Sequence, residues 1–215
     1  MKIGIRYWQR LGDVIRLFPL AEHFNRQGHE VKIICSPIYH EIFRCASYVE
    51  PGTLDEDFDR LIDLEIWDSF ADNNNQPRYM AFRTMKKKWV DFIYDDFPEV
   101  ENRYKILFTK IEFEDYFYEI PEQYNLIAPM GMSQIFKWPF PEIQKRVYEI
   151  MDSTHDLNPT YVLGTKDVPG VLTAKKLYHL PKMIKDAASF FCINSAPSII
   201  AGAVRENKYY HFDGS

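Results

Sequence analysis

Glycine is scarce, cysteine scarcer, and positive charge does not predominate. Only nine Gly occur in 215 residues. They form neither a Gly-x-x-x-x-Gly-Lys-Ser/Thr loop nor a Gly-x-Gly-x-x-Gly fingerprint, which argues against ATPases and dinucleotide enzymes built on those cradles. The three cysteines, Cys35, Cys45 and Cys192, are odd in number and far apart. They read as small core hydrophobes in a reducing compartment, not as a disulfide framework. A net charge of −5 argues against general affinity for nucleic acid, which needs clustered Lys and Arg. No apolar run reaches the roughly 18 residues of a membrane span. The N-terminus runs straight into a strand with no secretory signal, so the expected location is cytoplasmic. The six His show no metal-ligand spacing. Asp55, Glu56, Asp57 and Asp59 lack the Gly and the terminal Glu of a calcium loop. Neither a metal nor a cofactor is expected.

What is present is an apolar share of 46% with 27% charged residues and an aromatic share of 16%, the balance of a globular protein with large side chains in its core. Lys2 to Tyr7 reads as a strand. Asp13 to Arg26 has helical periodicity, with Val14, Leu17, Phe18, Ala21 and Phe24 on one face, and Gln27-Gly28 closes it. Val31 to Cys35 is a continuous apolar run, as in a parallel strand buried on both faces. Pro37 to Ala46 reads as a helix, Phe58 to Leu64 as a strand and Arg78 to Phe92 as a helix. Ile106 to Phe113 is open between loop and edge strand. A second pattern follows, with strands at Leu126–Pro129, Thr160–Leu163, Phe190–Ile193 and Tyr209–Phe212. Helices lie between them at Pro141–Met151, Leu180–Ala188 and Pro197–Val204. Two rounds of alternation imply an α/β protein of two small doubly wound Rossmann-like lobes, with mainly parallel sheets facing a cleft. The break falls in the Tyr-, Glu- and Pro-rich stretch from Glu114 to Tyr124, giving lobes 1–120 and 121–215.

Five stretches, in order, carry a resemblance. Leu11-Gly12-Asp13-Val14-Ile15 with Pro19-Leu20, Gly28-His29-Glu30-Val31, and Phe58-Asp59-Arg60-Leu61-Ile62-Asp63-Leu64 lie in the first lobe. Ala128-Pro129-Met130-Gly131-Met132-Ser133 with Lys137-Trp138-Pro139, and Asn194-Ser195-Ala196-Pro197-Ser198-Ile199-Ile200-Ala201, lie in the second. Together they resemble the heptosyltransferases of glycosyltransferase family 9, which have the GT-B fold, although this chain is much shorter than typical members. The resemblance implies an acceptor-binding first lobe and a nucleotide-sugar-binding second lobe. Where the family's last motif has Asp, Gly and His, this chain has Asn194, Ala196 and Ile199. That leaves the donor nucleotide open.

Sugar transfer needs a base for the acceptor hydroxyl and positive charge for the departing diphosphate. Asp13, just after the first strand, is the candidate base, with a plain helix N-cap as the alternative. Lys137 is the candidate for the diphosphate, with a solvated surface lysine as its alternative. Asn194, Ser195, Ala196 and Pro197 open a helix whose first amides suit an anion, and an ordinary cap is again the alternative. Gly131 and Ser133 would let the backbone approach the donor, and Gly164 and Thr165 would line the nucleotide pocket. Gly12, Arg10 and Arg6 are read as acceptor contacts. The run Lys86-Lys87-Lys88 suits phosphate on a polymeric acceptor or a solvated helix face. The expected activity is an inverting, metal-independent transfer from a nucleoside-diphosphate sugar to a hydroxyl on a glycan, a lipopolysaccharide core or a modified DNA base. The acidic net charge disfavours the DNA base. The alternatives are a retired transferase that binds a nucleotide or nucleotide sugar and, further off, a nucleotide-sugar epimerase.

Overall fold

The alternation of strand and helix resolves into two parallel sheets, one in each of two units, Met1–Thr109 and Lys110–Ser215. The computed structural model describes residues 1–8, 10–64, 89–129, 140–154, 158–164, 169–205 and 209–211. No helix among them is long and apolar enough to cross a membrane.

In the first unit β1 (Lys2–Arg6), β2 (Glu30–Ile34), β3 (Glu50–Gly52) and β4 (Arg60–Asp63) form a parallel sheet of order β3-β2-β1-β4. Ile3, Ile5, Val31, Ile33 and Ile34 are buried within it, as a parallel strand covered on both faces requires. The strand β3 has no hydrophobic pattern. Its Glu-Pro-Gly sequence is tolerated because it lies at the edge, where Pro51 need not donate to a further strand. Because β2 and β4 flank β1 on opposite sides, the chain reverses its direction of travel at β1. The carboxyl ends of β1 and β4 therefore border a crevice, the usual ligand position in such sheets.

The helix read as continuous over 13–26 is two helices, α1 (Leu11–Ile15) and α2 (Phe18–Arg26). Two causes combine. Pro19 has no N–H for the Ile15 carbonyl. The next rung is occupied by a hydroxyl from elsewhere. Tyr94 accepts from the Leu20 N–H at 3.1 Å and donates to the Arg16 carbonyl at 2.8 Å, taking both partners of the helical bond that would join residues 16 and 20. Tyr94 ends α3 (Trp89–Tyr94) and is fully buried. The face read from the sequence is correct, since Val14, Leu17, Phe18, Ala21 and Phe24 are all buried. Gly28, at φ 83°, makes the turn into β2. Pro37–Cys45 is a 3-10 helix rather than an α-helix. Of the helix expected over 78–92, residues 78–88 lie outside the described residues. The stretch 106–113 is irregular and pairs through single bonds, such as Thr109 N–H to the Cys45 carbonyl at 2.8 Å.

In the second unit β5 (Asn125–Ala128), β6 (Thr160–Leu163), β7 (Val171–Leu172), β8 (Ser189–Cys192) and β9 (Tyr210–His211) form a parallel sheet of order β7-β6-β5-β8-β9. The helices are α4 (Phe140–Thr154), α5 (Leu180–Asp186) and α6 (Ala196–Val204). Ile127, Ile143, Val147, Ile150 and Ile193 make a core between sheet and α4. Residues 110–120, expected in the first lobe, belong with this unit. The reason is a polar staple. One Asp115 carboxylate oxygen accepts the Tyr178 hydroxyl at 2.5 Å, and the other lies 3.3 Å from Nε2 of the buried His179. The Tyr118 hydroxyl lies 3.0 Å from His179 Nδ1 and accepts the Lys175 N–H at 2.8 Å. Since the carboxylate only accepts, the imidazole carries a proton on Nε2. All three cysteines are buried thiols.

Candidate active site

The first sheet delivers its chain ends to one edge. The Tyr7 N–H donates to the Ile34 carbonyl at 2.9 Å, so the segments after β1 and β2 leave side by side. The segment after β1 enters α1, whose N-cap is Arg10 and whose cap makes no side-chain hydrogen bond. Asp13 is the third residue of this helix, so the reading of Asp13 as the N-cap is corrected. A carboxylate in the first turn is favoured by the helix dipole, yet here desolvation outweighs that benefit. Burial raises the Asp13 carboxyl from the ordinary 3.8 to about 6, against the pull of Arg16 and Arg10. An acid of that strength is still mostly ionised at pH 7 and is a better proton acceptor than a free aspartate.

The other first-lobe residues divide. Arg6 is ion-paired with Asp63 at 3.0 Å across the ends of β1 and β4, so its charge is balanced within the protein. Gly12 is buried, and its carbonyl accepts the Arg16 N–H at 3.1 Å. Arg10 is exposed at the mouth of the helix, and Trp8, just past β1, is 45% exposed. Tyr39, in the 3-10 helix after β2, is a member the sequence reading missed. Its phenol is raised by burial first and by the neighbouring Cys35 and Asp13 charges, while a hydrogen bond from the Leu11 amide and the charge of Arg10 pull the other way. Tyr39 therefore lies within electrostatic reach of Arg10 and Asp13. Parallel adjacency of β1 and β2 was the available signal, because it sends whatever follows each strand to the same edge.

In the second unit the chain reverses at β5, which lies between β6 and β8. Asn194 to Pro197 follow β8 at that crevice, where the Ile193 N–H reaches the Ala128 carbonyl at 3.3 Å. Ser195 is the N-cap of α6 and is buried, and Pro197 sits in the first turn. The Ser195 N–H donates to Ser198 Oγ at 3.0 Å, while the Ser195 hydroxyl donates inward to the Ile193 carbonyl at 3.2 Å. The capping side chain is thus that of Ser198, which takes the Ser195 N–H, while the Ser195 hydroxyl is turned away from the helix amides. Asn194 is exposed, and Ala196 and Pro197 are half-buried at the helix start. Gly164 lies just past β6, on the same edge. A Cβ there would come within 2.8 Å of Val171 Cγ1, so close packing against β7 is a sufficient reason for this glycine. Gly131, Ser133, Lys137, Thr165 and the Lys86–Lys88 run lie outside the described residues. Among the described residues no three His, Cys, Asp or Glu side chains gather to hold a metal. A cavity of about 280 Å³ in the first unit, bordered by Pro19, Glu22, Arg26 and Lys105, includes none of the site residues.

No family model matches this sequence, and no curated protein sequence matches it. Solved structures do. The dodecameric, iron-containing glycosyltransferase TibC from enterotoxigenic E. coli H10407 superposes with a TM-score of 0.60 at 17% identity over 95% of this chain. A second TibC structure, described as a heptosyltransferase in complex with ADP-D-β-D-heptose, gives 0.62 at 18% identity, again over 95%. A glycosyltransferase family 9 protein from Veillonella parvula DSM 2008 gives 0.60 at 12% identity, covering 93% of this chain and 76% of its own. The chain spans 57% and 56% of the length of the two TibC chains. Identities this low establish architecture and nothing finer, and the architecture is that of the GT-B glycosyltransferases.

Proposed function

We propose that the protein is a glycosyltransferase that moves a sugar from a nucleoside-diphosphate donor to an acceptor hydroxyl, with inversion and without a metal. The observation that carries the reading is the Asp13 carboxyl. It is held near 6 by burial, stands at the carboxyl edge of a doubly wound sheet, and has no capping duty to explain it. A half-buried, destabilised acid at the ligand edge is what a base matched to neutral pH requires.

In this reading the acceptor oxygen attacks the anomeric carbon as its proton passes to Asp13. The bond from that carbon to the diphosphate oxygen breaks, and the diphosphate leaves with the electron pair. A single displacement of this kind inverts the anomeric centre. The departing charge falls to Lys137 and to the amides that follow Asn194 at the start of α6. Of the two arginines named as acceptor contacts, Arg10 is the one assigned to an anionic acceptor, since Arg6 is ion-paired with Asp63. The acceptor is a glycan, a lipopolysaccharide core or a modified DNA base, and the net charge of −5 disfavours the last. The TibC structure with ADP-heptose supports a heptose-type donor as the first to try. Asn194, where the family has Asp, supports testing other nucleotides beside ADP.

The test is a thermal-shift screen of nucleoside diphosphates and their sugars, followed by label transfer from the stabilising donor. Selective stabilisation by one nucleotide with transfer that Asp13→Asn abolishes is the expected result. Stabilisation with no turnover toward any acceptor would instead establish a binding protein, the reading that Asn194 and Ile199 favour. No stabilisation by any nucleotide would remove both.

A further inference from the structure

We propose that Trp8 is a specificity-determining residue of the acceptor site: its exposed indole is the platform on which a pyranose ring of the acceptor seats, with the reacting hydroxyl turned toward Asp13. The inference rests on the transferase reading and deepens it, since it names what the first unit grips and with which side chain.

Strand pairing fixes where Trp8 lies. The Arg6 carbonyl accepts the Leu64 N–H at 3.0 Å, and the Tyr7 N–H reaches the Ile34 carbonyl at 2.9 Å. The chain of β1 is therefore held between its two neighbours as far as Tyr7. Trp8 is the first residue beyond them, on the carboxyl edge of the sheet. Two residues later the Arg10 carbonyl accepts the Val14 N–H at 3.0 Å and α1 begins. Two residues of chain span at most about 7 Å, and three helical residues about 5 Å. The backbones of Trp8 and Asp13 thus lie within roughly 12 Å of each other, a gap that one sugar ring on an indole can bridge.

Exposure separates Trp8 from the residue before it. Tyr7 is 1% exposed, whereas Trp8 is 45% exposed. The 3-10 helix that continues the adjacent β2 carries Ile38, 69% exposed. Two adjacent parallel strands thus each lead into a large apolar side chain that faces water. An apolar lip beside a half-buried carboxyl is the make-up of a binding edge.

Chemistry chooses the occupant. The face of an indole carries the negative side of its quadrupole. The ring C–H groups of a pyranose, polarised by the oxygens on the same carbons, present positive hydrogens to such a face. The hydroxyls at the ring edge stay free to meet Asp13. A nucleobase also stacks on an aromatic ring. The nucleic acid that bears it, however, calls for clustered Lys and Arg along its phosphates, and this chain has a net charge of −5. An acyl chain lacks polarised hydrogens and offers no hydroxyl. A flat platform also discriminates among sugars: a ring with equatorial hydroxyls lies close on it, and an axial hydroxyl on that face lifts the ring away.

The test is saturation-transfer NMR on the full chain with methyl β-D-glucopyranoside and methyl β-D-galactopyranoside as probes and thymidine as the nucleobase control. In the parent, saturation should fall on the ring C–H protons of one pyranose face, with roughly millimolar affinity. The Trp8 Nε1–H resonance, assigned by its absence in Trp8→Tyr, should shift in the same titration. Trp8→Ala should weaken binding about tenfold, while Trp8→Tyr keeps most of it and both melt near the parent temperature. A purely structural indole would change the melting temperature and leave the pyranoside affinity where it was. Failure of the parent to bind either pyranoside, equal binding in Trp8→Ala, or binding of thymidine in their place overturns the proposal. Should Trp8→Ala fail to fold, the Nε1–H shift in the parent decides. Where transfer is found, the acceptor KM should rise about tenfold in Trp8→Ala with kcat and donor Kd nearly unchanged. A parent that binds pyranosides at Trp8 and transfers nothing would sink the transferase reading and leave the platform standing.

Discussion

Asp13 is held in a form the fold disfavours, and that has a measurable sign. Its folded pKa, about 6, is above the ordinary 3.8, so the folded state binds the proton more tightly than the unfolded chain. The Asp13 contribution to stability is therefore fully present below about pH 4 and is lost as pH rises through 6. At pH 8 the ionised, half-buried carboxylate costs about 2–3 kcal/mol. Asp13→Asn should recover roughly 2 kcal/mol at pH 8, with the gain shrinking as pH falls toward 4.5. Denaturant titrations of both proteins at several pH values check this. The same substitution should abolish transfer, and in the parent kcat/KM should fall as pH drops through about 6. A substitution that stabilises while it inactivates marks a functional residue. Asn that destabilised the protein equally at every pH would assign Asp13 to structure. Gly164 poses the opposite question. If packing alone selects it, Gly164→Ala costs about 1–2 kcal/mol through its contact with Val171, and adding Val171→Ala recovers much of that. Loss of donor stabilisation in the well-folded double variant would return Gly164 to the binding site.

At the scale of elements, the apolar face of residues 14–24 was readable because period 3.6 depends only on neighbours in sequence. The break between α1 and α2 was not, although Pro19 was in plain view. Proline is tolerated in a first turn, so whether it starts a second helix or sits in a bent one depends on the Tyr94 hydroxyl. The strands β3 and β7 escaped for a related reason. Three and two residues long, they hold no period, and only a neighbour's backbone makes them strands. The placement of 110–120 depended likewise on partners more than 60 residues away in Tyr178 and His179. His179→Ala should cost the second unit about 2–4 kcal/mol, since it leaves the Asp115 and Tyr118 partners unmet and empties a buried site among aromatic rings. Hydrogen exchange over residues 112–120 should rise in that variant. Exchange that stays at the parent level would show that the rings, and not the polar staple, hold the segment.

At the scale of the whole molecule, two parallel sheets with reversals at β1 and β5 place each unit's ligand edge by topology alone. Asp13 and Asn194, the candidates named from the sequence, both follow strands at such an edge. Each follows the strand at which its sheet reverses or the neighbour across that crevice. By itself the sequence determined the buried apolar runs and the longer strands and helices, because those depend on local period and local chemistry. The tertiary structure decided which of these residues carries a perturbed charge. It relieved Asp13 of a capping role and raised its pKa by burial, balanced Arg6 with Asp63, turned the Ser195 hydroxyl inward and set the Tyr94 hydroxyl between α1 and α2. Desolvation and hydrogen-bond pairing depend on what surrounds a group in space, and those surroundings come from chain segments tens of residues away.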